Sequence, residues 1–186
     1  MTSAGGDVPS PSGSTADSRL SRLERAEGRQ IDEHLRPFFV AWLDTFVFHG
    51  RIDAKLRELT ILRVMWRCGQ PYEWGNHYRL ARQAGCSDEE IVAIRTPHPT
   101  RNLTAPVVVV VQAADEVVDF GYVLEDTMTA ASRLFPEPGV LEEFLYLVAG
   151  YRMYASVSAS TRDTRDGPRW PPDGIGPTDL TRTRPV

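Results

Sequence analysis

Cysteine is scarce in this 186-residue chain: Cys68 and Cys86 are the only two, spaced far wider than a C-x-x-C pair. That excludes a disulfide framework and leaves a four-ligand zinc site unsupported. Histidine is scarce too. The four present include no pair with metal-ligand spacing, so no metal is expected. No apolar run approaches the ~18 residues that a membrane span needs. No charged n-region followed by an apolar h-region marks a secretory leader. An excess of basic charge is also missing: 21 Lys and Arg stand against 25 Asp and Glu, a net charge of -4, without the basic stripe of a nucleic-acid binder. The expectation is a cytoplasmic protein in a reducing compartment, with neither membrane nor nucleic acid as a partner. No internal repeat is visible.

What is present is ordinary for a globular chain, with 41% hydrophobic and 25% charged residues. The length suits one domain with a sizeable core. Residues 1–16, rich in Gly, Ser and Pro, are expected to be a disordered extension. Residues 17–161 form the domain, and 162–186 a tail dense in Pro and Gly. Between the ends the periodicity is helical. Phe38, Phe39, Trp42, Leu43, Phe46 and Val47 recur at steps of three and four, and His49-Gly50 closes that segment. Asp53 is placed to cap the next helix, which Gly69 ends; Pro71 suits the first position of a third. Ser87 and Glu90 make an S-x-x-E capping box, with Cys86 and Ile91 at the staple positions, so Cys86 is read as a packing residue. The run VVVVV at 107–111 tempts a strand assignment. The longer window, Val107, Val110, Val111, Ala114, Val117 and Val118, is helical to about Phe120, with Gly121 as terminator. Helices from Leu124 to Phe135 and from Val140 to about Ser160 complete an all-α domain of about six to seven helices.

The stretch PYEWGNHYRL, residues 71–80, concentrates groups able to do chemistry. On a helix Glu73 and His77 are four apart and share a face. A carboxylate beside an imidazole fixes its tautomer and makes a general acid or base usable near neutral pH. Tyr72 adds a phenol near the helix start, and Trp74 pairs with Tyr78 a little way around. The helix N-terminus favours a bound carboxylate. Helix-dipole preference alone would also place an acid at position 73, and a lone His is often structural. His34, His49 and His98 lack such company; His49 is expected to serve a helix C-terminus, and His98 lies in the loop TPHPT.

At 56–94 the run LRELTILRVMWRCGQPYEWGNHYRLARQAGCSDEEIVAI closely resembles the carboxymuconolactone decarboxylase family, whose helical fold is shared with AhpD-type hydroperoxidases. The likeness extends through FFVAWLDTFVFHGRIDAKLRE, AADEVVDF and FLYLVAGYRMYASV, spanning roughly residues 32–160. The redox branch resembles E-x11-C-x2-C-x3-H. Laid on this chain, the pattern puts Glu58 and His77 in the glutamate and histidine places, but Gln70 and Glu73 in the cysteine places. The proton-relay frame is present and both sulfurs are missing, which argues against dithiol–disulfide cycling.

The resemblance implies a cofactor-independent carbon–carbon lyase of the decarboxylase branch, acting on a small carboxylated or enolisable molecule. It implies His77 as proton donor or relay, with Glu58 and Glu73 setting its position and pKa. Tyr72 and Trp74 shape the pocket, and Arg57, Arg63 or Arg79 anchors a substrate carboxylate, with surface salt bridging as the ordinary alternative for each. The last helix reads AGYRM where the family often resembles GHYRM; the histidine of that motif is missing, which changes the proton inventory there, and Tyr151 is read as a pocket position. The resemblance further implies a homo-oligomer, a trimer or hexamer, and the aromatic surface from Phe38 to Phe48 with Tyr146, Tyr151 and Tyr154 is read as subunit contact. Three alternatives stay open: an isomerase, cyclase or dehydratase of a catabolic or secondary-metabolite pathway; a non-catalytic oligomeric binding protein; and a thiol peroxidase, disfavoured by the missing C-x-x-C.

Overall fold

The computed structural model describes residues 32–96 and 103–160. The N-terminal extension, most of the TPHPT loop with His98, and the C-terminal tail lie outside the described residues. The chain divides into two units, Met1–Gly50 and Arg51–Val186.

In the first unit α1 covers Arg36–Trp42, with Pro37 in its opening turn, and runs directly into a π-helical segment, Leu43–Phe48. One continuous α-helix is expected here; the wider π turn is the difference, and His49 N–H reaches back five residues to Asp44 O at 2.9 Å. It falls where the Trp42 and Phe46 rings meet, 4.6 Å between centroids. The His49 ring also lies 3.1 Å from the Asp44 carboxylate, so this histidine does close the segment.

In the second unit α2 covers Ala54–Arg67, α3 Pro71–Gln83, α4 Asp88–Ala93, α5 Ala105–Phe120, α6 Glu125–Leu134 and α7 Val140–Ser160. The described residues therefore hold seven α-helices and the π segment, with no strand. None of these helices is long and apolar enough to cross a membrane. α2 is the central helix: Leu59, Ile61, Leu62, Val64 and Met65 are all fully buried, and they point in every direction around the axis. α3, α5 and α7 pack on it, and α5 also meets α6 and α7. Asp53 caps α2 by accepting the Leu56 N–H at 3.1 Å, an arrangement contributing about 1 kcal/mol.

The valine run lies in α5 because burial outweighs β-branched propensity. Val107, Val110, Val111 and Val117 are buried on one face, at roughly 1.5 kcal/mol or more each, against a few tenths per residue of helix propensity. Gly121, at φ 86°, closes α5 in the left-handed region. The Ser87–Glu90 capping box forms with both reciprocal bonds, and Cys86 and Ile91 are buried beside it. Two buried acids tie helix ends together. Glu143 of α7 accepts the Arg51 and Ile52 N–H groups at 2.7 and 3.2 Å, holding the entry to α2. Glu116 of α5 accepts Leu124 N–H at 2.8 Å and Thr127 Oγ1–H at 2.6 Å, clamping the turn into α6.

Candidate active site

The site begins with a buried acid on the central helix. Glu58 sits about a turn into α2 and is fully buried. Such a carboxylate is tolerated only if paired and hydrogen-bonded. Both of its oxygens are used: Oε2 lies 2.7 Å from His77 Nδ1, and Oε1 accepts Arg57 Nε–H at 2.9 Å. Burial pushes the Glu58 carboxyl up, but the charges and hydrogen bonds of His77 and Arg57 outweigh it and hold the group below its ordinary value. Glu58 is thus ionised and can only accept, so Nδ1 of His77 carries the proton between them. That leaves Nε2 as the nitrogen able to exchange a proton with a bound molecule.

His77 is itself buried, with 6% of its surface exposed. α3 delivers it there through Pro71 at the helix start, two turns earlier. The Tyr151 ring of α7 meets the imidazole edge-on, with 5.1 Å between centroids and 87° between planes. Tyr151 is buried, so it is not the subunit-facing residue expected from the α7 tyrosines. Burial first, then the carboxylates of Glu58 and Glu73, raise its phenol well above the usual tyrosine value, so Tyr151 stays a neutral O–H group.

Glu73 departs from the expected arrangement. It lies one turn before His77, but its Oε1 accepts the Tyr154 hydroxyl of α7 at 2.8 Å, and the imidazole's carboxylate partner is Glu58. Tyr154 is the residue that sequence reasoning misses as a site member. The available signal is the i, i+3 spacing of Tyr151 and Tyr154, which puts both phenols on neighbouring positions of one helix face.

The remaining expected residues separate. Tyr72 is half-buried at the start of α3. Trp74 is fully buried; its ring stacks on Tyr78 at 5.9 Å and tilts against Trp66 at 6.4 Å, so it packs behind the helix. Arg57 touches the dyad directly through Glu58. Arg63 is fully buried and grips Asp115 bidentately at 2.6 and 2.8 Å, while its Nη1 donates to the carbonyls of Ile94 and Thr96. Those four bonds join α2 to α5 and to the end of α4 and take Arg63 away from the substrate role expected of it. Arg79 is exposed and bonds Asn76 at 3.2 Å. Standing two residues past His77, it projects about 200° around α3, away from the dyad.

Neither thiol is activated. Burial raises the Cys68 thiol. Cys86, buried and near Glu90, is pushed up to about 11. Among the described residues no group of three or more His, Cys, Asp or Glu is arranged to hold a metal ion.

Residues 36–116 match the model of the carboxymuconolactone decarboxylase family. No curated protein and no solved structure matches the chain. The matched stretch holds Glu58, Arg57, Glu73 and His77 but ends within α5, so α7 with Tyr151 and Tyr154 lies beyond it.

Proposed function

With residues 36–116 a carboxymuconolactone decarboxylase family region, we propose that the protein is a cofactor-independent acid–base lyase on an AhpD-like scaffold, with His77 as its proton donor. The observation that carries this reading is the buried Glu58–His77 pair, closed at 2.7 Å and backed by Arg57. Loss of CO2 from a γ-carboxylated unsaturated lactone leaves an electron pair that delocalises into the conjugated carbonyl, so the substrate is its own electron sink. The protein then needs to hold the substrate, stabilise the enolate charge and protonate carbon. In this scheme Nε2 of His77 takes up a proton from solvent while Nδ1–H stays on Glu58, then gives that proton to the carbanion carbon, and Glu58 keeps the ring oriented. Tyr151, a neutral phenol against the imidazole, donates toward the enolate oxygen. Arg57 is the arginine for a substrate carboxylate: its Nε is bonded to Glu58, and its terminal nitrogens make no bond to the described residues.

Tyr151 also favours a second reading. A proton exchanger and a neutral donor side by side suit enolisation without loss of CO2, the chemistry of an isomerase. One experiment separates these readings. γ-Carboxymuconolactone is generated in situ and its loss is followed with wild type and His77→Ala. Turnover by wild type that collapses at least about a hundredfold in the variant is the expected result. No turnover by wild type refutes the named reaction and directs the search to enolisable substrates. Equal turnover by both removes His77 from the chemistry.

A further inference from the structure

Glu73 and His77 stand one turn apart on the same face of α3, the spacing at which a carboxylate and an imidazole on a helix ordinarily pair. Here they do not. His77 bonds Glu58 through Nδ1, and Glu73 bonds the Tyr154 hydroxyl across to α7. From this arrangement we infer that Tyr154 is a positioning residue that holds Glu73 off His77 and keeps Nε2 open for substrate.

Without the phenol, Glu73 loses the hydrogen bond that carries its carboxylate to α7, and the imidazole four residues on is within its reach along the helix face. The open nitrogen of that ring is Nε2, which the proposed chemistry needs. A carboxylate seated there acts as a tethered competitor, and its effect is lost occupancy rather than lost structure. Tyr154 is half-buried, and Phe keeps its ring while removing only the hydroxyl. If released Glu73 covers Nε2 nine-tenths of the time, the competent fraction falls to about a tenth and KM rises about tenfold, while kcat at saturating substrate is largely kept. The inference rests on His77 being the proton donor, and its test has a part that needs no turnover.

The test compares wild type, Tyr154→Phe and Tyr154→Phe/Glu73→Ala, each confirmed folded by helical circular dichroism. Histidine side-chain 15N spectra report whether Nε2 is open or hydrogen-bonded, and kinetics on the lactone report the KM and kcat split. The expected result is sign reversal. Tyr154→Phe changes the Nε2 signal and raises KM, and adding Glu73→Ala restores both toward wild type. An Nε2 signal unmoved by Tyr154→Phe overturns the inference. So does a change that Glu73→Ala fails to reverse, which would assign Tyr154 a packing role. If wild type does not consume the lactone, the decarboxylase reading fails, and the spectra still decide the role of Tyr154.

Discussion

Replacing Glu58 by Gln keeps the shape of the side chain and removes its charge. In the native site two N–H donors, His77 Nδ1 and Arg57 Nε, each face one carboxylate oxygen. Glutamine offers one oxygen and one NH2, so one donor is retained at neutral strength and the other meets a second donor. A hydrogen bond to a charged group contributes about 1.5–3 kcal/mol net and a neutral one about 1, so the variant should lose about 2–4 kcal/mol at pH 7. The loss should depend on pH in a defined sense. Because the folded carboxyl titrates below its ordinary value of 4.5, the folded protein binds fewer protons than the unfolded chain in that range. The stability that Glu58 contributes is complete above that value and disappears as pH falls through the depressed folded one. Urea unfolding by circular dichroism, from pH 7 down to pH 3, should therefore show a gap between wild type and Glu58→Gln that is widest at neutral pH and narrows in acid. Turnover should fall about 100- to 10,000-fold, as for a general acid that has lost its orienting group. A variant as stable as wild type at pH 7, or a gap that does not close in acid, would refute this account of the dyad.

Arg63→Met should cost about 2–4 kcal/mol in urea unfolding, because it strands two buried carbonyls and leaves Asp115 with Arg67 as its remaining cation. Arg63→Lys should recover only part of that, since a single ammonium cannot reproduce the fork. Cys86 should resist iodoacetamide in the folded protein, with about one thiol in a thousand ionised at pH 8, and reaction during mass-spectrometric labelling at the rate of an exposed thiol would contradict the packing role. Ser87→Ala should destabilise by about 1 kcal/mol, read as a lowered urea midpoint with unchanged slope, through loss of the bond to Glu90 N–H.

Much of the helical order is legible in the sequence because its signals are local. The Ser87 box, the Asp53 cap, the glycine after α5 and the valine spacing each act within a turn or two of chain. The π segment is not legible, because the stripe from Phe38 to Val47 fits an α period equally well. The site is legible in part. Spacing picks out His77 and Glu73, but the partner of His77 lies 19 residues away on another helix, and only the family resemblance names it. Spacing also leads to the wrong partner for Glu73, because its hydrogen bond crosses 81 residues to Tyr154. The burial of Arg63 is hidden for a related reason: a charged residue inside α2 reads as surface until Asp115 is seen opposite it.

Placing Glu58 on the most enclosed helix has a consequence for the order in which the unit opens. Amides on a helix packed on all sides exchange with solvent only in large-scale openings, whereas those at helix ends exchange through local fraying. The carboxylate that orients His77 thus sits in the segment that comes apart last, while Tyr151 and Tyr154 arrive on a helix nearly a hundred residues further along the chain. A partly opened form that lets α7 lift away would keep the Glu58–His77 pair and lose both phenols together.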